Sequence, residues 1–177
     1  MVSVERILAY CRLDQEASLE SKPENKPADE WPTRGSIEFR QLVLRYREEL
    51  PPVLRGLNLS IVGGSRVGIV GRTGAGKSSL VAALFRLVEY DTNRGIEIDG
   101  VKTSQLGLHD LRPRMSVVPQ TPFLFSGSVR LNLDPFGRHA DAAMWEALEA
   151  VQMKHHVTML PGGLDARVTE GGGNLSV

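Results

Sequence analysis

An α/β fold is predicted for this chain by three features that follow one another directly. Val67-Gly68-Ile69-Val70 is short and almost wholly apolar, the pattern of a strand buried on both faces. Gly71-Arg72-Thr73-Gly74-Ala75-Gly76-Lys77-Ser78 comes next, a glycine-rich turn with the freedom to change direction sharply. Lys77 to Val88 then places Leu80, Leu84 and Leu87 on one stripe, as a helix packed on a sheet requires.

The length of 177 residues leaves room for one globular domain and an additional segment. Lys+Arg and Asp+Glu balance at 21 each, so no basic field attracts nucleic acid, which is not expected as a partner. The single cysteine, Cys11, excludes an intramolecular disulfide and a thiolate metal cluster. No apolar run approaches the roughly 18–20 residues that span a bilayer. Glu5 and Arg6 interrupt the apolar pattern at the start, which argues against a signal peptide. The chain is therefore expected to be soluble by itself, while leaving open that it is the cytosolic piece of a membrane protein.

Val4, Ile7, Leu8 and Cys11 recur at helical spacing and predict a short amphipathic helix within residues 1–14. Residues 15–34, rich in Glu, Lys, Ser and Pro, bury too little apolar surface to fold alone and read as a linker. The compact domain is expected to cover residues 35–177. It opens with alternating strands at Ser36–Arg40, Leu42–Tyr46 and Val53–Ile61. Gly95–Asp99 is a further strand closed by the turn dipeptide Asp99-Gly100. His109 to Arg112 predicts a short helix stopped by Pro113, and Met115–Pro119 a buried strand leading to Gln120. Asp141 to Met153 predicts a long helix with Met144, Leu148 and Val151 on its apolar face.

The octapeptide Gly71–Ser78 satisfies G-x-x-x-x-G-K-S/T in full. Gly71, Thr73, Gly74, Ala75 and Gly76 are expected to turn backbone amides inward as an anion nest, with a helix N-terminus behind it. Lys77 would bridge β- and γ-phosphate oxygens, Ser78 would hold Mg²⁺ through its hydroxyl, and Ser79 would reach the α-phosphate. The motif does not separate ATP from GTP. Tyr46, at the end of a strand, is by itself more often a half-buried packing residue than a stacking face for a base. Gln120 alone would satisfy loop backbone, and Gly-Asn-Leu-Ser at residues 173–176 would read as a helix cap. Phe123, Leu124 and Phe125 either pack within the domain or contact another part of a larger protein. His109, His155 and His156 have no ligand partners at metal spacing and are expected on the surface.

Taken in order, Gly-Arg-Thr-Gly-Ala-Gly-Lys-Ser-Ser and the downstream Val-Val-Pro-Gln-Thr-Pro-Phe-Leu-Phe-Ser-Gly-Ser-Val-Arg-Leu-Asn-Leu-Asp-Pro resemble an ABC-transporter ATPase domain. More narrowly, the chain resembles the second nucleotide-binding domain of the multidrug-resistance-associated subfamily, from about Ser3 to Val177. The resemblance implies a P-loop NTPase core, an antiparallel β-subdomain and a partial helical subdomain, C-terminally incomplete. It implies ATP and Mg²⁺ as cofactors, with Tyr46 stacking on adenine and Gln120 coordinating Mg²⁺ as the Q-loop residue. Lys77 and Gln120 are then the catalytic candidates. Ser176, in Gly172-Gly173-Asn174-Leu175-Ser176-Val177, would open the signature motif and serve the partner's nucleotide, although Gly173 stands where relatives often carry Glu or Ser. Residues 1–14 would lead from a transmembrane domain, and a second nucleotide-binding domain would close head to tail over two nucleotides. The parent would be an exporter of organic anions or conjugates, with this domain on the cytosolic face of a membrane.

Hydrolysis needs a further Mg²⁺ anchor and a group that orients water. The Walker B Asp-Glu pair and the switch histidine that provide them in this family have no match here, so a fragment is expected. Three readings follow: a transport ATPase active only within its parent, a module that binds ATP without efficient hydrolysis, and an unrelated P-loop kinase or GTPase. The Q-loop segment, the signature start and the lack of an Asn-Lys-x-Asp motif stand against the third.

Overall fold

The computed structural model describes residues 2–13, 15–90, 94–121, 123–169 and 172. It divides into one unit of residues 1–116 and another of residues 117–177, each with its own core. The architecture is α/β, with mixed helices and antiparallel sheet.

In the first unit, helix α1 (Val2–Cys11) precedes strands β1 (Ile37–Leu44) and β2 (Leu54–Ile61). Helix α2 (Lys77–Leu84), strands β3 (Gly95–Ile98) and β4 (Val101–Lys102) and the short helix α3 (Leu108–Leu111) complete it. The sheet order is β2-β1-β3-β4, antiparallel throughout. The two strands expected around residue 41 are one strand with a kink. Gln41 takes φ 47, the register with β2 shifts there, and the Gln41 amide donates to Asn58 Oδ1 at 2.9 Å. That bulge lets Phe39, Leu42 and Leu44 all face the core, where Ile96, Ile98, Leu80 and Ala83 meet them.

Helix α2 ends four residues before the expected Val88, and Arg86 turns left-handed at φ 48. The Arg112 guanidinium takes up the terminal carbonyls, donating to Phe85 O and Arg86 O at 3.0 Å each. Between β3 and β4 the expected turn is present, with Asp99 at φ 48 and Gly100 at φ 78, as a type I′ hairpin requires.

The Pro-, Glu- and Lys-rich stretch lies against this unit. The amides of Leu108 and His109 donate to Ser18 O and Leu19 O at 3.1 and 2.9 Å. The Gly107 amide donates to Ser21 Oγ at 2.7 Å, and Arg112 pairs with Glu16 at 2.6 Å. Trp31, 6% exposed, donates its indole N–H to Ile98 O at 3.0 Å. One buried tryptophan and a run of backbone bonds hold in place a stretch whose composition argues for a solvated chain.

Two expected strands are not formed. Residues 67–70 belong to no strand and have no ladder partners among the described residues, and Val70 is 95% exposed. Met115–Pro119 is likewise outside any described strand, with Val118 95% exposed. An apolar run of this kind calls for parallel neighbours on both sides but does not supply them.

The second unit pairs β5 (Gly127–Ser128) with β6 (Arg167–Val168) and carries α4 (Val129–Leu133), α5 (Asp141–Ala150) and α6 (Lys154–Met159). Ser128 caps α4, its hydroxyl accepting the Leu131 amide at 3.0 Å. The long helix expected to reach Met153 ends at Ala150, since Gln152 takes φ 62. Met144 and Leu148 enter the core with Val129, Val157, Leu164 and Val168, whereas Val151 is 65% exposed. The beginning of the expected signature motif, residues 173–177 including Ser176, lies outside the described residues, as does Pro122.

Candidate functional site

The glycine-rich loop follows residues 67–70 and enters α2. Gly74 and Gly76 sit at φ 83 and φ 89, conformations that favour glycine. At Gly76 a Cβ would also come within 3.1 Å of Leu54 Cδ2 and 3.3 Å of Val53 Cγ1, so β2 itself fixes a glycine there. Within the loop the Ala75 amide donates to Arg72 O at 3.1 Å. Gly76 is the N-cap of α2 and brings no side-chain acceptor. The first amides of α2 are thus left without a capping side chain at the positive end of the helix dipole, an arrangement made for an anion.

Lys77 lies back along the loop, its ammonium donating to Gly71 O at 2.7 Å and Arg72 O at 2.9 Å. Those carbonyls hold the charge over the nest, where phosphate oxygens are the natural alternative acceptors. Gly71, Thr73, Gly74 and Ala75 are exposed, as is Ser78. Ser79 is buried at 6% exposure, and its hydroxyl lies 3.0 Å from the phenol oxygen of Tyr46. Tyr46, just beyond β1, keeps half its surface open. The structure therefore brings Tyr46 to the loop that carries Lys77, Ser78 and Ser79. Gln120 is exposed and belongs to the second unit.

No group of three or more His, Cys, Asp or Glu side chains gathers for a metal among the described residues. One exposed hydroxyl at Ser78 fits Mg²⁺ that arrives with phosphate oxygens and keeps most of its waters, not a metal held by a protein cage. His109 faces Glu20, with Nδ1 3.2 Å from Oε1.

Sequence reasoning did not reveal the Tyr46–Ser79 pair, because the two residues are 33 apart and neither motif mentions the other. It also missed Asp99, whose carboxylate accepts the amides of Arg34, Gly35 and Ser36 at 2.8, 3.0 and 2.8 Å and the Ser36 hydroxyl at 2.7 Å. Those bonds, the Arg34 and Gly35 amides foremost, hold its pKa far below the usual carboxylate range. The Asp-Gly dipeptide predicted the turn and gave no hint of this second task.

The sequence pattern of the ABC transporter family matches residues 54–177, well over half the chain. The chain is 54% identical over 178 residues to ABC transporter C family member 8 of Dictyostelium discoideum. It is 47% identical over 177 residues to human ATP-binding cassette sub-family C member 2, and 46% over 179 residues to mouse sub-family C member 3. Each match covers 100% of this chain and 11 or 12% of the relative, so the chain spans about a tenth of their length.

Proposed function

The chain belongs to the ABC transporter family, and on that premise we propose that it binds ATP on the Gly71–Ser78 loop to drive export across a membrane. It is an ABC-type ATP-binding domain of the C subfamily with a P-loop NTPase fold. The observation that carries the nucleotide reading is the loop itself: two glycines at positive φ, an uncapped helix start and a lysine folded over it. In this reading Lys77 exchanges its two carbonyl acceptors for phosphate oxygens, and the backbone from Gly74 to Ser78 donates to the same groups. Bound Mg²⁺ would neutralise phosphate charge; Ser78 would offer it a hydroxyl and Gln120 a carbonyl oxygen. Tyr46 would offer its open face to the adenine ring.

The partners we propose are transmembrane domains of the same protein and a second nucleotide-binding domain that Ser176 would serve. No helix among the described residues is long and apolar enough to cross a membrane, so membrane attachment would come through those partners. Organic anions or their conjugates are the proposed cargo, and the cytosolic face the proposed location. Equilibrium binding of Mg-ATP to the chain and to Lys77→Ala tests the site. Loss of one charge-assisted phosphate contact is expected to weaken binding about tenfold or more. Equal binding by the two proteins would refute the assignment.

A further inference from the structure

We propose that Ser79 is a positioning residue for Tyr46, holding the aromatic ring in register with the phosphate loop through the bond between their hydroxyls. The proposal rests on the nucleotide reading above and asks how base and phosphate recognition are tied together. Tyr46 lies past the end of β1, half exposed, in a stretch with no ladder bonds of its own. Left to itself, such a ring samples several rotamers, and fixing it costs entropy when a base docks. Ser79 differs: it sits in the first turn of α2, is 6% exposed, and cannot move without the helix. The 3.0 Å bond between Tyr46 Oη and Ser79 Oγ therefore ties the half-exposed ring to the buried serine of the helix.

The hydroxyl chemistry fixes the direction of that bond once an anion is present. A serine hydroxyl has one proton and two acceptor sites, and a phenol can donate or accept. Facing a phosphate oxygen, only a donor is tolerated, so Ser79 turns its proton to the phosphate and accepts from Tyr46. The two bonds then polarise each other, and the ring is held most firmly when phosphate is bound. Inorganic triphosphate gains only from the polarised Ser79 bond, whereas a ligand with both base and phosphate also meets a ring already held in place. Ser79 thereby favours nucleotides over bare polyphosphate, beyond any contact it makes to phosphate itself.

The test compares affinity for ATP and for inorganic tripolyphosphate. Tyr46→Phe keeps the ring and removes only the phenol oxygen. It is expected to weaken ATP binding roughly three- to tenfold, the worth of one hydrogen bond, and tripolyphosphate binding by a smaller factor. Ser79→Ala should weaken both ligands, ATP more, and its excess effect on ATP should vanish in the Tyr46→Phe background. Should Tyr46→Phe fail to fold, the ATP-to-tripolyphosphate ratio of Ser79→Ala carries the test. The inference is overturned if Tyr46→Phe binds ATP as the parent does, or if either variant loses both ligands equally. Lys77→Ala separates this failure from that of the site. If it still loses both ligands, the phosphate site stands without the Tyr46–Ser79 link; if it binds them normally, both readings fall.

Discussion

Asp99 does two jobs at once: its positive φ makes the β3–β4 turn, and its carboxylate ties residues 34–36, which lead into β1, to that turn. Because these bonds require the ionised form, the folded pKa is depressed below the unfolded value of about 3.9. The stabilisation is fully present above the unfolded pKa and is lost as pH falls below about 4 toward the folded value. Asp99→Asn keeps the turn and loses the charge, so its stability should fall less steeply than the parent's in that acid window. Denaturant titrations from pH 6 to pH 2 would show it, and parallel curves would contradict it. Local chemistry of this kind is half legible in a sequence. Asp-Gly announces a turn, but nothing local announces that residues 34–36 come to meet it.

At the scale of elements, the docked stretch 15–34 turns on Gly107. A Cβ there would lie 2.3 Å from Glu20 C and Ser21 N, closer than any real contact. Gly107→Ala must therefore push that stretch away, at a cost of about 1–3 kcal/mol. The amides of Leu108 and His109, which donate to Ser18 O and Leu19 O, should lose protection in hydrogen exchange, while those of β1 keep theirs. Unchanged protection would show that the stretch is held elsewhere. Elements carried by local periodicity were legible: α2 from its start, strand β3 with its Asp-Gly turn and the core positions Met144 and Leu148 all follow from spacing and turn chemistry. Those needing a distant partner were not. The apolar tetrapeptide 67–70 reads as a buried strand, yet it gains burial only from neighbours, and no described strand pairs with it. Helix α5 stops short because Gln152 takes φ 62, which the apolar pattern through Val151 does not disclose.

On the scale of the whole molecule, the described residues form two core clusters, one around Phe39, Leu42 and Leu111 and one around Leu148, Val157 and Val168. Leu42→Ala and Leu148→Ala should each cost about 2–5 kcal/mol, and the double variant close to their sum, because the clusters share no residue. A strongly non-additive double variant would reveal coupling between the cores. The candidate phosphate loop was legible as a turn, since it is contiguous in sequence and Gly74 and Gly76 take the positive φ that favours glycine. Tyr46 needed the fold to bring it to Ser79. The central claim, that this domain receives ATP on the Gly71–Ser78 loop, is tested most directly by titrating isotope-labelled chain with Mg-ATP and following backbone amides. The amides of Gly74, Ala75, Gly76, Lys77 and Ser78 are expected to shift first and together, with Tyr46 following. Shifts confined to other residues, such as Arg45, Arg47 and Arg94 beside the cleft at Tyr90, with the loop unmoved, would contradict it.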